Sequence, residues 1–377
     1  MIPFTHHLCS YIETPSVTNQ PNGDLVSLLN TWFTKANWST LTLESSSNPG
    51  LLNFVAHIGP LENQLVINSH TDTISPVAED WFNNAPFTLD HQDGFYFGNG
   101  AVDTKGPTVA AILSATQEID PGKLKRGISF WLNHSEENAI GGVPLKGSRE
   151  MVDWARREGQ RPAAMIVVEP TVLTPVYAHN GYATVAIETR GLAAHSSVPE
   201  TGENAIEKMS AAIGLLQTLR DQLRSEFDIP LNIGHIQGGR EDQVNVVAET
   251  CRMLVDFRCP PNTLTAEEVL TRIERILPEG TTCKFHIETI PPFYCAPTKP
   301  IVQLAARITG KEPEQVGYYA DAAIYKGLME DGLLSDGMLI LGCGDIRFAH
   351  RPNEKIGHAE MEQGIAVFTE LITNYCC

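Results

Sequence analysis

Positive charge is scarce in this chain. Its 377 residues hold 27 Lys and Arg against 45 Asp and Glu, for a formal net charge of -18. A surface that acidic offers nucleic acid no basic face and repels anionic lipid. Cysteine pairing is missing too. Eight cysteines stand at Cys9, Cys251, Cys259, Cys283, Cys295, Cys343, Cys376 and Cys377, and none forms a C-x-x-C pair. That spacing excludes a zinc ribbon, and a chain this long does not depend on a disulfide framework. The cysteines read as reduced thiols of a reducing compartment. No apolar run approaches the ~20 residues of a transmembrane helix. The opening segment MIPFTHHLCSYIETPS has no basic stretch followed by an apolar core, so it does not read as a signal peptide. The expected location is cytoplasmic, with no nucleic-acid and no membrane partner. A G-x-S-x-G elbow is absent, which disfavours a serine hydrolase. No internal repeat or low-complexity tract is evident.

What is present is an ordinary apolar content of 42%, enough for a packed core. The first half alternates strand and helix. Leu51 to Ile58, Gln64 to Asn68, Gly127 to Asn133 and Ala164 to Val168 read as strands. Asp24 to Trp38, Pro107 to Ile119 and Gly142 to Arg157 read as helices, with Pro107 tolerated in a first turn. Such alternation predicts an α/β fold with a mainly parallel central sheet and helices on both faces. Ligands of these sheets bind beyond the carboxyl ends of the strands.

The style changes after Gly181. Strands at Ala183 to Thr189, Leu231 to Ile236, Met253 to Phe257 and Lys284 to Ile287 interleave with helices at Asn204 to Ser225 and Ala266 to Ile276. That order predicts an antiparallel sheet with both helices on one face, an α+β ferredoxin-like insertion. The expected division is 1–177 and 291–377 for the catalytic domain, with 178–290 inserted. Alternation resumes with a helix at Pro300 to Thr309, a strand at Met338 to Leu341 and a last helix from Glu360 to Thr373.

Polar clusters stand at or just past the ends of apolar runs: Ser69-His70-Thr71-Asp72, Glu136-Glu137, Glu169 and His350. Asp103 joins them from a Gly-rich loop. Zinc takes imidazole nitrogen and carboxylate oxygen, and catalytic sites leave a position to water. A two-metal site needs about five to six protein ligands with a carboxylate bridging. His70 and His350 offer imidazoles; Asp103, Glu137 and Glu169 offer carboxylates. Asp72 can accept the other ring N–H of His70 and fix its tautomer. Adjacent glutamates are common on solvated loops, but a bend at a strand end lets both members of Glu136-Glu137 face one site. One can then ligate while the other accepts a proton. Of the remaining histidines, His6 and His7 read as surface residues, and His134 flanks the site without ligating. His91, His235, His286 and His358 read as structural or solvated.

At these residues the chain resembles a known family. HTDT at 70–73, GNGAVDTKG at 98–106, SEEN at 135–138, VEPT at 168–171, GLAAHSS at 191–197 and AHRPNE at 349–354 are similar to motifs of the dinuclear zinc deacetylase/peptidase family, in the same order over nearly the whole chain. The resemblance implies two Zn2+ per subunit, with Co2+ also suited to such ligands. Asp103 would bridge the ions. His70 and Glu169 would complete one site, Glu137 and His350 the other. Asp72 would clamp His70, and Glu136 would be the general base and acid. The peptide Asp103-Thr104 would be cis. His195, which its own neighbourhood marks only as a turn residue, would stabilise the oxyanion from the inserted domain of a second subunit. That implies a homodimer formed through the insertion. Arg258 and Asn245 would hold the substrate α-carboxylate, with the backbone N–H groups of Gly342 and Gly344 as further donors.

LNIGHIQGG at 231–239, HSSVPETGENAIEKM at 195–209 and VNVVAET…DFR at 244–258 resemble the acetylornithine deacetylase branch of that family. The implied substrate is a small N-acyl amino acid, first of all N2-acetyl-L-ornithine, cleaved to L-ornithine and acetate in arginine biosynthesis. Glu at position 169 goes with deacylases and carboxypeptidases of the family. Two departures stand out. Thr104 replaces a frequent Met, and Tyr319-Ala320-Asp321-Ala322 stands where a Thr-Glu-Ala sequence is frequent. The second bears on which acyl amino acid fits. Alternatives are a deacylase of another N-acyl amino acid (acetylcitrulline, succinyl-diaminopimelate or acetylmethionine), a dipeptidase, or a non-catalytic ligand-binding relative that would have lost a ligand or Glu136.

Overall fold

The computed structural model describes residues 4–377, so the first three positions of the segment 1–177 lie outside the described residues. The chain forms two compact units. One holds the chain up to Ala178 with Tyr294–Val316 and Ala320–Cys377; the other holds His179–Phe293 with Gly317–Tyr319. The short return at Gly317–Tyr319 has no counterpart in the sequence reading, because so few residues carry no periodicity.

The first unit is built on a nine-stranded sheet. Its path runs Ser39–Glu44, Leu52–Ile58, Ile128–Asn133, Glu62–His70, Arg161–Val167, Gly337–Ile340, Val176–His179 and Phe293–Tyr294, with Glu314–Val316 beside Val176–His179. The middle of the path, from Ile128–Asn133 to Gly337–Ile340, is parallel. The pairs toward Ser39–Glu44 are antiparallel, as is the contact with Val176–His179. Every residue of Ile128–Asn133 is buried, as expected for a strand covered on both faces. Successive side chains of a strand point to opposite faces. Phe130 meets Phe33 of helix Gly23–Lys35, with ring centroids 5.2 Å apart. Its neighbour Trp131 meets Trp154 of helix Lys146–Arg157 at 5.5 Å and Tyr325 of helix Ala322–Glu330 at 6.1 Å. Helices therefore cover both faces of the sheet.

The helix Lys105–Leu113 is buried along its whole length and stops short of Ile119, passing into a π-helical turn at Ser114–Glu118. A small sheet of Asp90–Gln92, Phe95–Phe97 and Lys355–Gly357 has no signal in the sequence because each strand is three residues long. His7 also departs from expectation. It is buried, its ring lies 4.8 Å from that of Trp32, and burial lowers its pKa.

The second unit has the order strand, helix, strand, strand, helix, strand. Its four-stranded sheet runs Leu231–Gly238, Thr250–Phe257, Ala183–Arg190, Thr281–Phe285, antiparallel throughout. The last strand sits a few residues before the predicted Lys284 to Ile287, in the register that pairs Cys283 with Ile187. Val185, Ile187, Met253 and Val255 share one core with Met209 and Leu216 of helix Ala205–Phe227 and with Val269 and Ile273 of helix Ala266–Ile276. Both helices thus lie on the same sheet face. No described helix is long and apolar enough to cross a membrane.

Candidate metal centre

Three neighbouring parallel strands carry the site. Glu62–His70 lies between Ile128–Asn133 and Arg161–Val167, in the register that pairs His70 with Asn133 and Asn68 with Val167. Strands lie ~4.8 Å apart, so whatever follows their carboxyl ends is brought together. His70 ends the first strand, Glu136 and Glu137 follow the second, and Glu169 follows the third. Asp103 comes from the loop before helix Lys105–Leu113. The Ser69 hydroxyl, 2.9 Å from the Thr104 hydroxyl and 2.6 Å from that of Thr108, ties this helix start to the strand end. A carboxylate just ahead of a helix also gains from the helix dipole. His350 is not at a strand end. It follows the short turn Ile346–Phe348 with φ +56 and is the exposed member of the cluster.

The distances define a compact centre. His70 Nε2 is 3.1 Å from Asp103 Oδ1 and 3.9 Å from Glu169 Oε1. His350 Nε2 is 3.3 Å from Asp103 Oδ2 and 2.7 Å from Glu137 Oε2. Asp103 therefore lies between the imidazoles, one oxygen toward each. Ligand atoms of His70, Asp103 and Glu137 fall within 4.8 Å of one another. The Asp103–Thr104 peptide is cis.

Electrostatics make the case for a cation. Burial opposes ionisation of Asp103, yet hydrogen bonds from His350 and His70 hold it well below the usual carboxylate range. Burial and the nearby Asp103 charge push Glu137 up to about 7 and Glu169 well above its ordinary value. Burial does the same to Glu136, against the pull of His70. Burial disfavours the His70 cation, but the Asp103 bond and the charges of Glu169 and Glu136 raise its pKa well above normal. Hydrogen bonds to Asp103 and Glu137 carry His350 up to about 11. Carboxylates crowded out of water around two imidazoles repel one another, and a divalent cation would offset that charge. Imidazole plus carboxylate donors suit zinc or cobalt.

Two assignments change. The nearer partner of the His70 ring is the Asp72 backbone rather than its carboxylate. His70 Nδ1 lies 2.9 Å from the Asp72 backbone carbonyl and 3.7 Å from Oδ1. The chain turns after His70, which aims that carbonyl back at the ring. The Asp72 carboxylate instead accepts the backbone N–H groups of Glu136 at 3.1 Å and Glu137 at 3.2 Å. Gly342 likewise does not present a free N–H. It donates to the Thr171 hydroxyl at 3.2 Å, and its carbonyl accepts Thr171 N–H and Leu173 N–H. A Cβ at Gly342 would sit 2.4 Å from the Glu169 carbonyl oxygen, so glycine serves close backbone approach here. Gly344, with φ +85, has the same packing role against Val102.

His195, Asn245 and Arg258 belong to the second unit. His195 and Asn245 share one exposed loop pair: His195 bridges Val246, Ser196 N–H donates to the Asn245 carbonyl, and His195 Nδ1 accepts from Ser197 N–H at 3.1 Å. Arg258 follows strand Thr250–Phe257, its guanidinium 4.3 Å from the Tyr182 ring centroid and 5.5 Å from that of Tyr319. Sequence reasoning missed the polar network beneath the site. Asn68 Nδ2 donates to Asn133 Oδ1 at 2.6 Å, and Asn133 Nδ2 donates to Asp321 Oδ2 at 2.7 Å. Asparagine inside two apolar strands was the available signal. His134 is buried between the Ser135 hydroxyl at 2.9 Å and Glu150 at 3.3 Å. Glu354, the last residue of AHRPNE, is buried against the Asp103 loop.

An α/β sheet whose parallel strands end beside a cluster of imidazoles and buried carboxylates defines a protein fitted to hold metal. The chain belongs to peptidase family M20/M25/M40, whose model matches residues 66–374. It is thus a member of a family of metal-dependent peptidases and amidohydrolases. Solved structures agree on the fold. A tripeptidase from Staphylococcus aureus superposes with a TM-score of 0.76 at 19% identity, over 99% of this chain and 98% of that one. An M20 family metallo-carboxypeptidase from Sulfolobus solfataricus gives 0.76 at 18% identity, over 100% and 99%. The YXEP protein of Bacillus subtilis, described as a dinuclear metal binding peptidase, gives 0.68 at 16% identity, over 98% and 96%.

Proposed function

We propose that the chain hydrolyses the amide of a small N-acyl amino acid, N2-acetyl-L-ornithine first, to the free amino acid and acetate. The observation that carries the hydrolytic part is Asp103 placed between His70 and His350, with Glu137, Glu169 and Glu136 buried around it. His70, Glu169, Glu137 and His350 would hold two zinc ions bridged by Asp103. Such ions supply Lewis acidity and a water of lowered pKa. Glu136, which burial primes to hold a proton, would take one from the water whose oxygen adds to the acyl carbon and return it to the leaving nitrogen as the C–N bond breaks. His195 donates to the developing oxyanion. Arg258 holds the α-carboxylate with a planar fork, helped by Asn245. Gly344 stays in this reading as a neighbour of the site; Gly342 serves packing.

The acetylornithine assignment is supported by the LNIGHIQGG, HSSVPETGENAIEKM and VNVVAET…DFR stretches. The homodimer through the inserted domain is supported by apolar side chains left exposed on the second unit, Val244 at 86% and Leu192 at 58%. A second reading, cleavage of short peptides, is favoured by the tripeptidase and carboxypeptidase among the similar structures. A substrate panel decides: acetylornithine, acetylcitrulline, acetylmethionine, succinyl-diaminopimelate and dipeptides, with and without added zinc or cobalt. The highest kcat/KM is expected on acetylornithine with metal present. A higher value on a dipeptide supports the second reading, and full activity in protein stripped of metal ends both. Glu136→Gln should keep metal and lose kcat by roughly 10²–10⁴-fold.

A further inference from the structure

Asp103 is the pivot of the centre, and its loop has little secondary structure of its own to hold it. The residues from Gly98 to Thr104 run between the strand Phe95–Phe97 and the helix Lys105–Leu113. Gly100 adopts φ +84, a conformation closed to most side chains. Asn99 is tied to Pro86 and Thr73, and Thr104 to Ser69, and between them one distant residue holds the backbone N–H groups. Glu354 Oε1 accepts Val102 N–H and Asp103 N–H, each at 2.8 Å, and Oε2 accepts Gly100 N–H at 2.9 Å. Its backbone carbonyl accepts Gly98 N–H at 3.1 Å. Glu354 is only 2% exposed. The adjoining strand Lys355–Gly357 pairs with Phe95–Phe97, Lys355 opposite Phe97, which brings Glu354 alongside the loop. On its other side, His350 stands four residues earlier in the chain.

We propose that Glu354 is a positioning residue of the metal centre, fixing the backbone of Asp103 relative to His350. This rests on the reading in which Asp103 bridges two ions. Both carboxylate oxygens are already committed to N–H groups, so Glu354 does not itself ligate. All three side-chain bonds come from N–H donors, and an amide in its place turns one oxygen into a donor facing a donor. The AHRPNE segment then delivers two things at once, an imidazole for one ion and the frame for the bridging carboxylate.

The test is Glu354→Gln, which preserves size. Co2+ affinity is expected to fall roughly 10–100-fold, the range found when groups that orient metal ligands are lost. The visible absorption of the bound cobalt should change, and kcat at saturating metal should fall with KM nearly constant. A residue that only stabilised the fold would lower Tm and leave cobalt affinity and spectrum as in the wild type; that result overturns the proposal. Amide exchange in the wild-type protein provides an arm that needs no variant. Gly100, Val102 and Asp103 should exchange slowly with or without metal, and exchange at the rate of an open loop overturns the anchor even if Glu354→Gln fails to fold. Failure of the wild type to take up any Co2+ removes the two-metal reading instead, and amide exchange then decides the anchor alone.

Discussion

Asp72 shows how one residue divides its work between backbone and side chain. Its carbonyl fixes the His70 ring at 2.9 Å, while its carboxylate gathers the N–H groups of Glu136 and Glu137. A bend that presents two successive N–H groups to one carboxylate solves the problem posed by adjacent glutamates, which an extended chain would aim apart. The division has a consequence for Asp72→Asn. The carbonyl remains, so His70 keeps its tautomer and metal content measured by elemental analysis should stay near the wild-type value. The new amide group faces one of the two N–H donors, so the glutamate pair loses its register and kcat should fall about 10-fold or more. Loss of metal with unchanged kcat in the metal-supplemented enzyme would return the clamp to the carboxylate.

Between elements, the decisive contact is the approach of the loop after Gly337–Ile340 to the backbone at Glu169. Gly342 makes that approach possible. Gly342→Ala places a Cβ 2.4 Å from the Glu169 carbonyl oxygen, which must move to accommodate it. The expected cost is ~1–3 kcal/mol, read as a lower Tm, with kcat falling as Glu169 shifts. An unchanged Tm would show that the loop yields freely. No residue pattern marks Gly342 for this role; a glycine beside a cysteine and another glycine reads as well as an N–H donor. The same limit runs through the chain. Strands such as Gln64 to Asn68 and Ala164 to Val168 were legible because parallel central strands are continuous apolar runs. His70, Glu136, Glu137 and Glu169 were legible as a set because they break those runs at one end. Ser39–Glu44 and Ala322–Glu330 carry no clear signal, since the first is an edge strand and the second a short helix. The split of duties at Asp72 and the reach of Glu354 across about 250 residues depend on backbone direction, which no residue type announces.

At the scale of the whole molecule, a charged contact fixes the end of the chain. The C-terminal helix His358–Cys376 is tied to the sheet by Asp336, whose Oδ2 accepts from Arg126 and from the Tyr375 hydroxyl, each at 2.7 Å. Burial works against the Asp336 anion, but these bonds outweigh it and depress its pKa below the ordinary 3.8. A depressed carboxylate pKa gives stability that is present above the unfolded value and lost as pH falls through the folded one. Asp336→Asn should therefore lower Tm at pH 7 and make little difference at pH 2; an equal loss at both would assign the effect to packing. Assembly asks a different question. His195 lies on the second unit beside the exposed apolar residues Leu192 and Val246, which the proposed homodimer would bury. If His195 serves the partner's metal centre, two inactive variants should rescue each other. Glu136→Gln and His195→Ala subunits, mixed, unfolded and refolded together, give mixed dimers in which the intact Glu136 of one subunit meets the intact His195 of the other. With equal amounts, half the dimers are mixed and each has one competent site, so activity should recover to about a quarter of the wild-type value. If His195 serves its own subunit, every site in the mixture lacks one residue and the mixture stays as inactive as its parts.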